Sequence, residues 1–391
     1  MLQFILFIDS STSIDERNMK IAQAKIKVLI ITARADYGGG PEHIFRLISS
    51  LNNQATFYIA APNDEPYHHK FETLLSAGHM IKIPRRKFRL SSLFKLIKFA
   101  RNNIDLIHSH GKGAGIYSRL ISLSTGIPCV HTFHGFHTGS YNLLQKKLYT
   151  FIEKFLAHYT KKFITVSQGE QNSILRCNVA NKSKFALIHN AVQIPEQTVN
   201  EAAFNKERLD VVTITRFDFA KNSLLLLEIA EELRLREALH KFRFIIIGSG
   251  PDEREFIRLS EIKKLESYFV MKGFVENPSD ILVDSFCYIS TSKWEGMPLG
   301  VMEAMSHGLP VLASNVVGNN DLVEDNVNGF LYELNDIVSA VKKLLRLSDD
   351  FDLWKNFSVN ARKSIIQNFS LALMAEKTYN LYSEIYNSKQ N

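Results

Sequence analysis

Two glutamates flank a turn-rich segment in WEGMPLGVMEAMSHGLPVLAS, residues 294–314. On one continuous helix, Glu295 and Glu303 would lie about 12 Å apart along the axis, too far to act on one atom as an acid and base pair. Gly296 and Pro298 instead predict a helix that begins near Pro298, because proline fits the first helical turn. Glu295 then lies in the loop and Glu303 on the second helical turn, so the two carboxylates have separate environments.

The predicted helix start has the properties of an anion site. Backbone N–H groups there have no partner within the helix, and the positive end of the helix dipole lies at the same place. An anion in the middle, with hydroxyl-bearing groups beside each glutamate, matches a nucleotide-diphosphate sugar. The residues of the helix start that we expect to face such a donor are Met297, Pro298, Leu299 and Gly300.

Two cations follow another predicted strand. In DVVTITRFDFAKN (210–222), Arg216 and Lys221 lie just past the strand end, five residues apart across a turn. Such a pair suits an anion with several oxygens, such as a diphosphate. The same spacing also describes two solvated surface charges. The position at a strand end favours the ligand, because parallel sheets bind ligands beyond the carboxyl ends of their strands.

Two glycine-rich turns also follow predicted strands. GGGPEH (38–43) contains Gly39 and Gly40, and GSGPDE (248–253) begins with Gly248. Each turn can bare backbone N–H groups to a ligand. Neither has the third glycine of the dinucleotide fingerprint GxGxxG, so a turn without a ligand is the alternative.

Four histidines follow two further strands, in HSHGKGAG (108–115) and HTFHGFH (131–137). They are His110, His131, His134 and His137. The spacing offers neither HExxH nor a cysteine partner, so hydrogen bonding to a polar ligand is favoured over a zinc site. His134 is the first candidate, because the glycine after it lets a ligand approach closely. We expect no metal and no cofactor.

Alternating strands and helices must position these segments. Apolar, β-branched runs between helical patterns predict an α/β fold with parallel sheets. The runs form two series, 27–190 and 210–333, separated by the polar segment 194–208, and 391 residues exceed what one core usually organises. We therefore predict two Rossmann-like domains that face each other across a cleft. The predicted units are a first, acceptor-side domain over 1–192, a linker over 193–208, a second, nucleotide-sugar-binding domain over 209–370 and a final helix over 371–391.

Basic residues are concentrated in the first half of the chain. Residues 1–190 hold 25 Lys and Arg against 11 Asp and Glu, whereas residues 191–391 hold 22 against 29. Within the first half, 82–101 predicts a basic helix with an apolar face. Such a helix fits either an anionic membrane surface or ordinary packing on its own domain. The apolar face consists of Leu93, Phe94, Leu96, Ile97 and Phe99.

The cysteines and the apolar runs argue against several other classes of protein. Cys129, Cys177 and Cys287 lie far apart without CxxC spacing, which indicates neither a disulfide framework nor a zinc site. No apolar run approaches the roughly 18 residues that span a bilayer, and the N-terminal LQFILFI lacks the flanks of a signal peptide. We expect a cytoplasmic protein, with peripheral contact to the inner face of the membrane if 82–101 binds lipid.

Taken together, several segments resemble a known family. GGGPEH, RFDFAK, GSGP, GFVEN and EGMPLGVMEAMSHGLPVLAS with NGFLYE behind it resemble the retaining glycosyltransferases of family 4 (glycosyltransferase group 1), which have the GT-B fold. The resemblance runs over about residues 27–370, and its most specific part is the E-x7-E segment with the trailing GLPV. HSHGKGAG and HTFHGF resemble stretches of the enzymes that assemble bacterial surface polysaccharides.

The resemblance implies transfer of a hexosyl or N-acetylhexosaminyl unit from a nucleotide sugar, with retention of configuration and no metal requirement. It implies that Glu295 and His134 contact the donor sugar and that Glu303 contacts the ribose. Arg216 and Lys221 match the cations that hold the diphosphate. Because no protein nucleophile is evident, departure of the diphosphate on the attacked face is expected, stabilised by these cations and the helix start.

Other positions follow from the same resemblance. Gly39 and Gly40 match the turn on the phosphate side, and Val275 in GFVEN matches a place where backbone groups meet the nucleobase. Thr215 is a departure, because the family commonly has glycine before the arginine. UDP is the expected nucleotide, and the expected acceptor is a saccharide, free or linked to a polyprenyl diphosphate.

Three other functions remain as alternatives. A sugar-nucleotide epimerase can share the GT-B-like fold, and a nicotinamide dehydrogenase can share one Rossmann domain. The basic first half also fits a non-catalytic module that binds lipid or nucleic acid, although no nucleic-acid partner is expected. Such a module would bind phosphate in a strongly salt-dependent way and ignore nucleotide sugars.

Overall fold

The first sheet has seven parallel strands, all covered by helices. The computed structural model describes residues 25–136 and 142–390. The strands are β1 (Ile26–Thr32), β2 (Ala55–Ala61), β3 (Met80–Lys82), β4 (Leu106–His110), β5 (Cys129–Thr132), β6 (Lys162–Thr165) and β7 (Phe185–Leu187). Their spatial order is β3-β2-β1-β4-β5-β6-β7. The order reverses between β1 and β4, which makes the carboxyl ends of these two strands a topological switch point.

Six helices connect these strands, and several have recognisable starts. They are α1 (Gly39–Leu51), α2 (Tyr67–Leu74), α3 (Leu90–Asn103), α4 (Lys112–Thr125), α5 (Leu143–Ala157) and α6 (Gln168–Arg176). Gly111 precedes α4 with a φ of 78°, a conformation that favours glycine. Asn142 and Gln145 form a capping box at the start of α5, and the Ser167 side chain caps α6.

The second sheet repeats the same plan with six parallel strands. They are β8 (Leu209–Ile214), β9 (Phe242–Ile247), β10 (Phe269–Gly273), β11 (Cys287–Ser290), β12 (Val311–Ser314) and β13 (Gly329–Tyr332), in the spatial order β10-β9-β8-β11-β12-β13. The helices are α7 (Leu225–Leu235), α8 (Glu253–Ile262), α9 (Ser279–Val283), α10 (Leu299–Ser306), α11 (Ile337–Asp349) and α12 (Phe351–Asn368). The switch point lies between β8 and β11. The prediction of two Rossmann-like domains is confirmed.

The chain crosses between the domains twice, and the two crossings lie side by side. Val192 forms a parallel bridge with Ser370, and its N–H donates to the carbonyl of Phe369 over 3.1 Å. After the second crossing, α13 (Leu371–Gln390) packs on the first domain. There Tyr382 is fully buried, and its hydroxyl lies 2.6 Å from His108 Nδ1.

The polar segment between β7 and β8 is fastened to the second domain by its backbone. The N–H of Val199 donates to the carbonyl of His307 over 2.7 Å, and the N–H of Asn200 donates to that of Val283 over 2.9 Å. A short 3-10 turn, Glu201–Asn205, then leads into β8. Main-chain hydrogen bonds therefore hold a segment whose side chains show no apolar period.

The basic segment 82–101 contains α3, whose apolar side largely faces the first domain. Leu93 and Leu96 are buried in one cluster with Leu29 of β1, whereas Phe94 is 66% exposed. Packing on its own domain therefore accounts for most of this apolar face. Among residues 25–136 and 142–390, no helix is long and apolar enough to cross a membrane.

Candidate active site

The segment that carries the two glutamates forms a loop followed by a helix, as the sequence predicts. α10 begins at Leu299, directly after Pro298 in an extended conformation. The helix lies tightly against the second sheet, because a Cβ on Gly300 would come within 2.7 Å of the Tyr288 hydroxyl. Met297 is buried beside it. Only glycine at position 300 permits this close packing of helix on strand.

The start of α10 faces the glycine turn of the first domain. A Cβ on Gly39 would lie 3.7 Å from the Leu299 side chain, and a Cβ on Gly296 would lie 3.0 Å from the backbone nitrogen of Gly135. No atom of the described residues lies within 4 Å of a Cβ added to Gly40. The turns that the sequence singles out in the two domains therefore meet across the cleft.

Glu295 is held by a lysine and a serine. Its Oε1 accepts hydrogen bonds from Lys221 Nζ at 2.5 Å and from Ser292 Oγ at 2.6 Å. The side chains of Lys221 and Glu295 are 25% and 12% exposed. Two predicted site residues thus form one ion pair. Ser292 escapes sequence reasoning, because a serine after a strand is too common to be distinctive.

Arg216 lies beyond the end of β8 with an exposed guanidinium. It forms an ion pair with Asp218, and Asp218 Oδ1 also accepts from the N–H of Lys221 at 3.0 Å. Each predicted cation therefore has a carboxylate partner, Asp218 for Arg216 and Glu295 for Lys221. Both cations lie on the loop that follows β8, at the switch point of the second sheet.

The GSGP turn packs directly on the loop after β8. A Cβ on Gly248 would lie 1.8 Å from the carbonyl oxygen of Thr215, and Gly248 has a φ of 123°. A Cβ on Gly250 would lie 2.5 Å from the carbonyl oxygen of Phe217. Close backbone approach therefore explains both glycines without a ligand. Contact of Gly248 with the donor stays a prediction.

The loop after β10 also reaches the first domain. Val275 packs partly on the core of the second domain. Next to it, the ring of Phe274 lies 4.0 Å from the ring of Tyr37, centroid to centroid. This aromatic contact closes one side of the cleft. Contact of Val275 with a nucleobase stays a prediction.

Glu303 is bound by an arginine from the other domain. Its Oε1 accepts a hydrogen bond from Arg46 Nη2 at 2.6 Å, and Arg46 Nε donates to Glu42 Oε1 at 2.5 Å. Arg46 Nη1 also donates to the carbonyl of Ala191 at 3.0 Å. Arg46 lies on α1, one turn past the GGGPEH segment, and sequence reasoning missed it. It joins the helix of one glycine turn to the helix of the E-x7-E segment.

The charges in this contact influence one another. Burial raises the pKa of the Glu303 carboxyl, and the positive charge of Arg46 opposes that rise. Burial alone would lower the pKa of Arg46, but the carboxylates of Glu303 and Glu42 outweigh it and raise the pKa. Arg46 is therefore a permanent cation that favours the ionised form of Glu303.

Three histidines meet on the first-domain side of the cleft. His110 Nδ1 lies 2.9 Å from His134 Nε2, and the ring of His43 lies 4.7 Å from that of His134, centroid to centroid. His134 has a φ of 56°, an unusual backbone conformation for histidine, and leads directly into Gly135. His43, on α1, is a member of this cluster that the sequence did not indicate.

The other two predicted histidines do not belong to this cluster. His131 is buried, and its Nδ1 lies 2.9 Å from Ser109 Oγ. His137 lies outside the described residues.

Burial keeps the clustered histidines neutral. It lowers the pKa of His43 to about 4 and lowers those of His110 and His134 well below the usual value. Ring nitrogens of the three lie within 4.8 Å of one another, and this group contains no Asp, Glu or Cys among the residues that the structure describes. Neutral imidazoles donate and accept hydrogen bonds, so the cluster suits the hydroxyl groups of a sugar.

Two protein-family models match adjacent parts of the chain. The model described as Glycosyltransferase Family 4 matches residues 37–195, and the model described as Glycosyl transferases group 1 matches residues 196–364. The boundary between the two matches falls between β7 and β8, where the chain passes from the first sheet to the second.

Curated relatives of the chain include bacterial transferases. The chain is 31% identical over 314 residues to the UDP-Gal:alpha-D-GlcNAc-diphosphoundecaprenol alpha-1,3-galactosyltransferase of Escherichia coli, covering 77% of this chain and 80% of that relative. It is 29% identical over 299 residues to the poly(ribitol-phosphate) alpha-N-acetylglucosaminyltransferase of Staphylococcus aureus (strain COL), covering 74% of this chain and 57% of that relative.

A solved structure shows the same fold. Anabaena Alr3699/HepE in complex with UDP and glucose superposes with a TM-score of 0.79 at 17% identity, over 92% of this chain and all of that chain. With both family models matched and a relative above 30% identity, the chain belongs to the family 4 glycosyltransferases, group 1, and has the GT-B fold.

Proposed function

We propose that this glycosyltransferase moves a hexosyl or N-acetylhexosaminyl unit from a UDP-sugar, with retention of configuration, to a saccharide linked to a polyprenyl diphosphate. The observation that carries the proposal is the convergence of Lys221, Glu295 and the start of α10 opposite Gly39 and His134. Such an enzyme would act in the assembly of a cell-surface polysaccharide. The Escherichia coli relative supports the donor and acceptor classes, because its name specifies both.

The donor is proposed to lie along the cleft in an order that the charges dictate. Its diphosphate would bind the start of α10 and the cations Arg216 and Lys221, where positive charge is concentrated. Its sugar hydroxyls would bind Glu295 and His134, and its ribose hydroxyls would bind Glu303. To reach the diphosphate, Lys221 must share its charge between Glu295 and the donor.

The proposed chemistry places the developing charge on the leaving group. The acceptor hydroxyl attacks the anomeric carbon from the face that the diphosphate leaves, and its proton passes to a diphosphate oxygen. The bond from the anomeric carbon to the leaving oxygen breaks as the new glycosidic bond forms. Arg216, Lys221 and the N–H groups of the α10 start stabilise the departing UDP, an electrostatic role typically worth a hundredfold or more in rate for each group.

The same two cations make a divalent metal unnecessary in this proposal. A metal ion in other nucleotide-sugar enzymes would neutralise the diphosphate. Here Arg216 and Lys221 bring two positive charges to the second-domain side of the cleft. The three clustered histidines would instead bind sugar hydroxyls as neutral groups.

Transfer assays test the proposal. Purified protein is incubated with UDP-galactose, UDP-glucose or UDP-N-acetylglucosamine and a synthetic N-acetylglucosaminyl-diphospholipid, with and without EDTA. One donor should yield a product with the anomeric configuration of the donor by NMR, equally well with EDTA. An inverted product contradicts retention, and loss of activity with EDTA contradicts metal independence.

A reaction without acceptor separates the alternatives. An epimerase would convert the nucleotide sugar by itself, whereas a transferase leaves it intact apart from slow hydrolysis. Conversion of one UDP-sugar into its epimer would overturn the proposal. The transferase names of both curated relatives favour the opposite outcome.

A further inference from the structure

The first domain carries an apolar helix face that the active site does not use. On α5, Leu144, Leu148, Phe151 and Phe155 are 77%, 58%, 69% and 54% exposed. Their spacing of three or four residues places them along one stripe of the helix. Single exposed apolar residues are ordinary on protein surfaces, but a continuous stripe of four large ones indicates an interaction surface.

The opposite side of α5 is fixed to the domain. Glu153 is buried and pairs with Arg119 of α4 at 2.9 Å. Lys112 Nζ, also on α4, lies 4.5 Å from the ring centroid of Tyr149. These contacts determine which side of α5 faces solvent, and they leave the apolar stripe on the outside.

Positive charge surrounds the stripe. Lys147 and Lys154 are exposed on α5, three residues after Leu144 and Phe151 respectively. Residues 73–152 hold twelve Lys and Arg but a single acid, Asp105, which accepts a hydrogen bond from the backbone of β1. The surface around the stripe is therefore strongly cationic.

Neighbouring helices extend the same surface. α4 contacts α3 on one side and α5 on the other. Phe94 of α3 and Leu123 of α4 are 66% and 50% exposed. Apolar side chains among basic ones thus continue across three adjacent helices of the first domain.

We propose that α5, with the adjoining surface of α3 and α4, docks the enzyme on an anionic lipid bilayer. The apolar stripe would lie among the head groups while Lys147 and Lys154 contact lipid phosphates. Charge complementarity selects this occupant over a second copy of the chain, because dimerisation would bring two cationic faces together. The inference rests on the proposed function only in that a lipid-linked acceptor gives docking its purpose.

The position of α5 relates this surface to the cleft. The chain leaves β5, passes His134 and Gly135, and enters α5 at Leu143. Helices in a parallel α/β domain begin at the carboxyl edge of the sheet, where the ligand binds. Docking through α5 would therefore bring the acceptor side of the cleft next to the lipid surface.

Vesicle co-sedimentation of the full chain tests the proposal. Wild-type protein should bind vesicles of phosphatidylglycerol and phosphatidylethanolamine but not vesicles of phosphatidylcholine alone. Leu144→Gln with Leu148→Gln should weaken binding more than about tenfold, because two large apolar side chains lose their insertion. Lys147→Gln with Lys154→Gln should weaken it by about fivefold per lysine and remove most of its salt dependence.

Matched controls come from the second domain. Leu235→Gln with Ile262→Gln removes two residues that are 79% and 64% exposed, and Lys342→Gln with Lys363→Gln removes two exposed lysines. Both controls should bind vesicles like the wild type. Equal binding by all variants would overturn the proposal, and so would a wild-type dimer that the α5 substitutions convert to monomer.

A second assay separates docking from catalysis. With a short-chain, water-soluble acceptor and no vesicles, the α5 variants should transfer sugar at the wild-type rate. Slower transfer under these conditions would show that α5 serves the active site itself, which contradicts a docking role. Absence of transfer by the wild type would instead refute the proposed function while leaving vesicle binding as an independent result.

Discussion

The Arg46→Ala variant should weaken donor binding more than it slows the chemical step. Arg46 Nη2 lies 2.6 Å from Glu303 Oε1, so it occupies one carboxylate oxygen and leaves the other for the proposed contact with the ribose. Without the guanidinium, Glu303 loses both its orientation and the charge that favours its ionised form. The ribose lies far from the reacting bond, so this contact contributes equally to the ground state and the transition state.

The structure sets the expected magnitude. A hydrogen bond to a charged group contributes roughly 1.5–3 kcal/mol. The side chains of Arg46 and Glu303 are 16% and 26% exposed, which places this bond toward the lower end because solvent screens it. About 1.5 kcal/mol corresponds to a rise of about tenfold in the donor KM. The kcat should change by less than about threefold, as expected for uniform binding.

Steady-state kinetics across pH provide the assay. Because Arg46 opposes the rise in the Glu303 pKa that burial causes, its removal should raise that pKa further, so donor binding fails at a higher pH as the solution is acidified. Arg236→Ala is the matched control, since Arg236 pairs with Glu232 on α7 at the same 2.6 Å. A donor KM and pH profile equal to those of the control would refute the reasoning.

Three further predictions concern the cations, the glycines and the histidines. Arg216→Ala or Lys221→Ala should reduce transfer at least about a hundredfold with an unchanged melting temperature, whereas wild-type turnover in either would contradict their role. Gly248→Ala should lower the melting temperature sharply, because its Cβ would lie 1.8 Å from a carbonyl oxygen, while Gly40→Ala should fold normally; equal melting temperatures would disprove this. The pKa of His43 is about 4 in the folded protein, so protons bind the unfolded chain preferentially and stability should fall as the pH drops from about 6.5 to about 4. His43→Gln should reduce that dependence in thermal melts, and an unchanged slope would contradict it.

Local patterns predicted the elements and the ends of the elements that carry the site. Proline at position 298 marks the start of α10 because its effect on the chain is confined to its own turn. The apolar runs predicted two parallel sheets for the same reason, since each strand is buried on both faces. The rule for ligands in such sheets then brought Lys221 and Glu295 to one edge, where they form an ion pair.

Contacts between distant parts of the chain could not be predicted in this way. Arg46 and Glu303 are 257 positions apart, and no local pattern in α1 indicates a partner on α10. The histidine cluster was predicted only in part, because His43 comes from α1 whereas the others follow strands. Periodicity also cannot tell which side of an amphipathic helix is buried. It drew attention to 82–101, whereas the larger exposed apolar stripe lies on α5.

The return of α13 to the first domain bears on the order in which the protein is built. A ribosome delivers the first domain before the second, and domains usually fold as they emerge. Here the core of the first domain includes Met374, Tyr382 and Ile385, which are synthesised last. The second domain has all of its strands and helices by Asn368, before this core is complete. Maturation of the nascent chain therefore runs opposite to its synthesis, and the acceptor side of the cleft is finished only when the last helix leaves the exit tunnel.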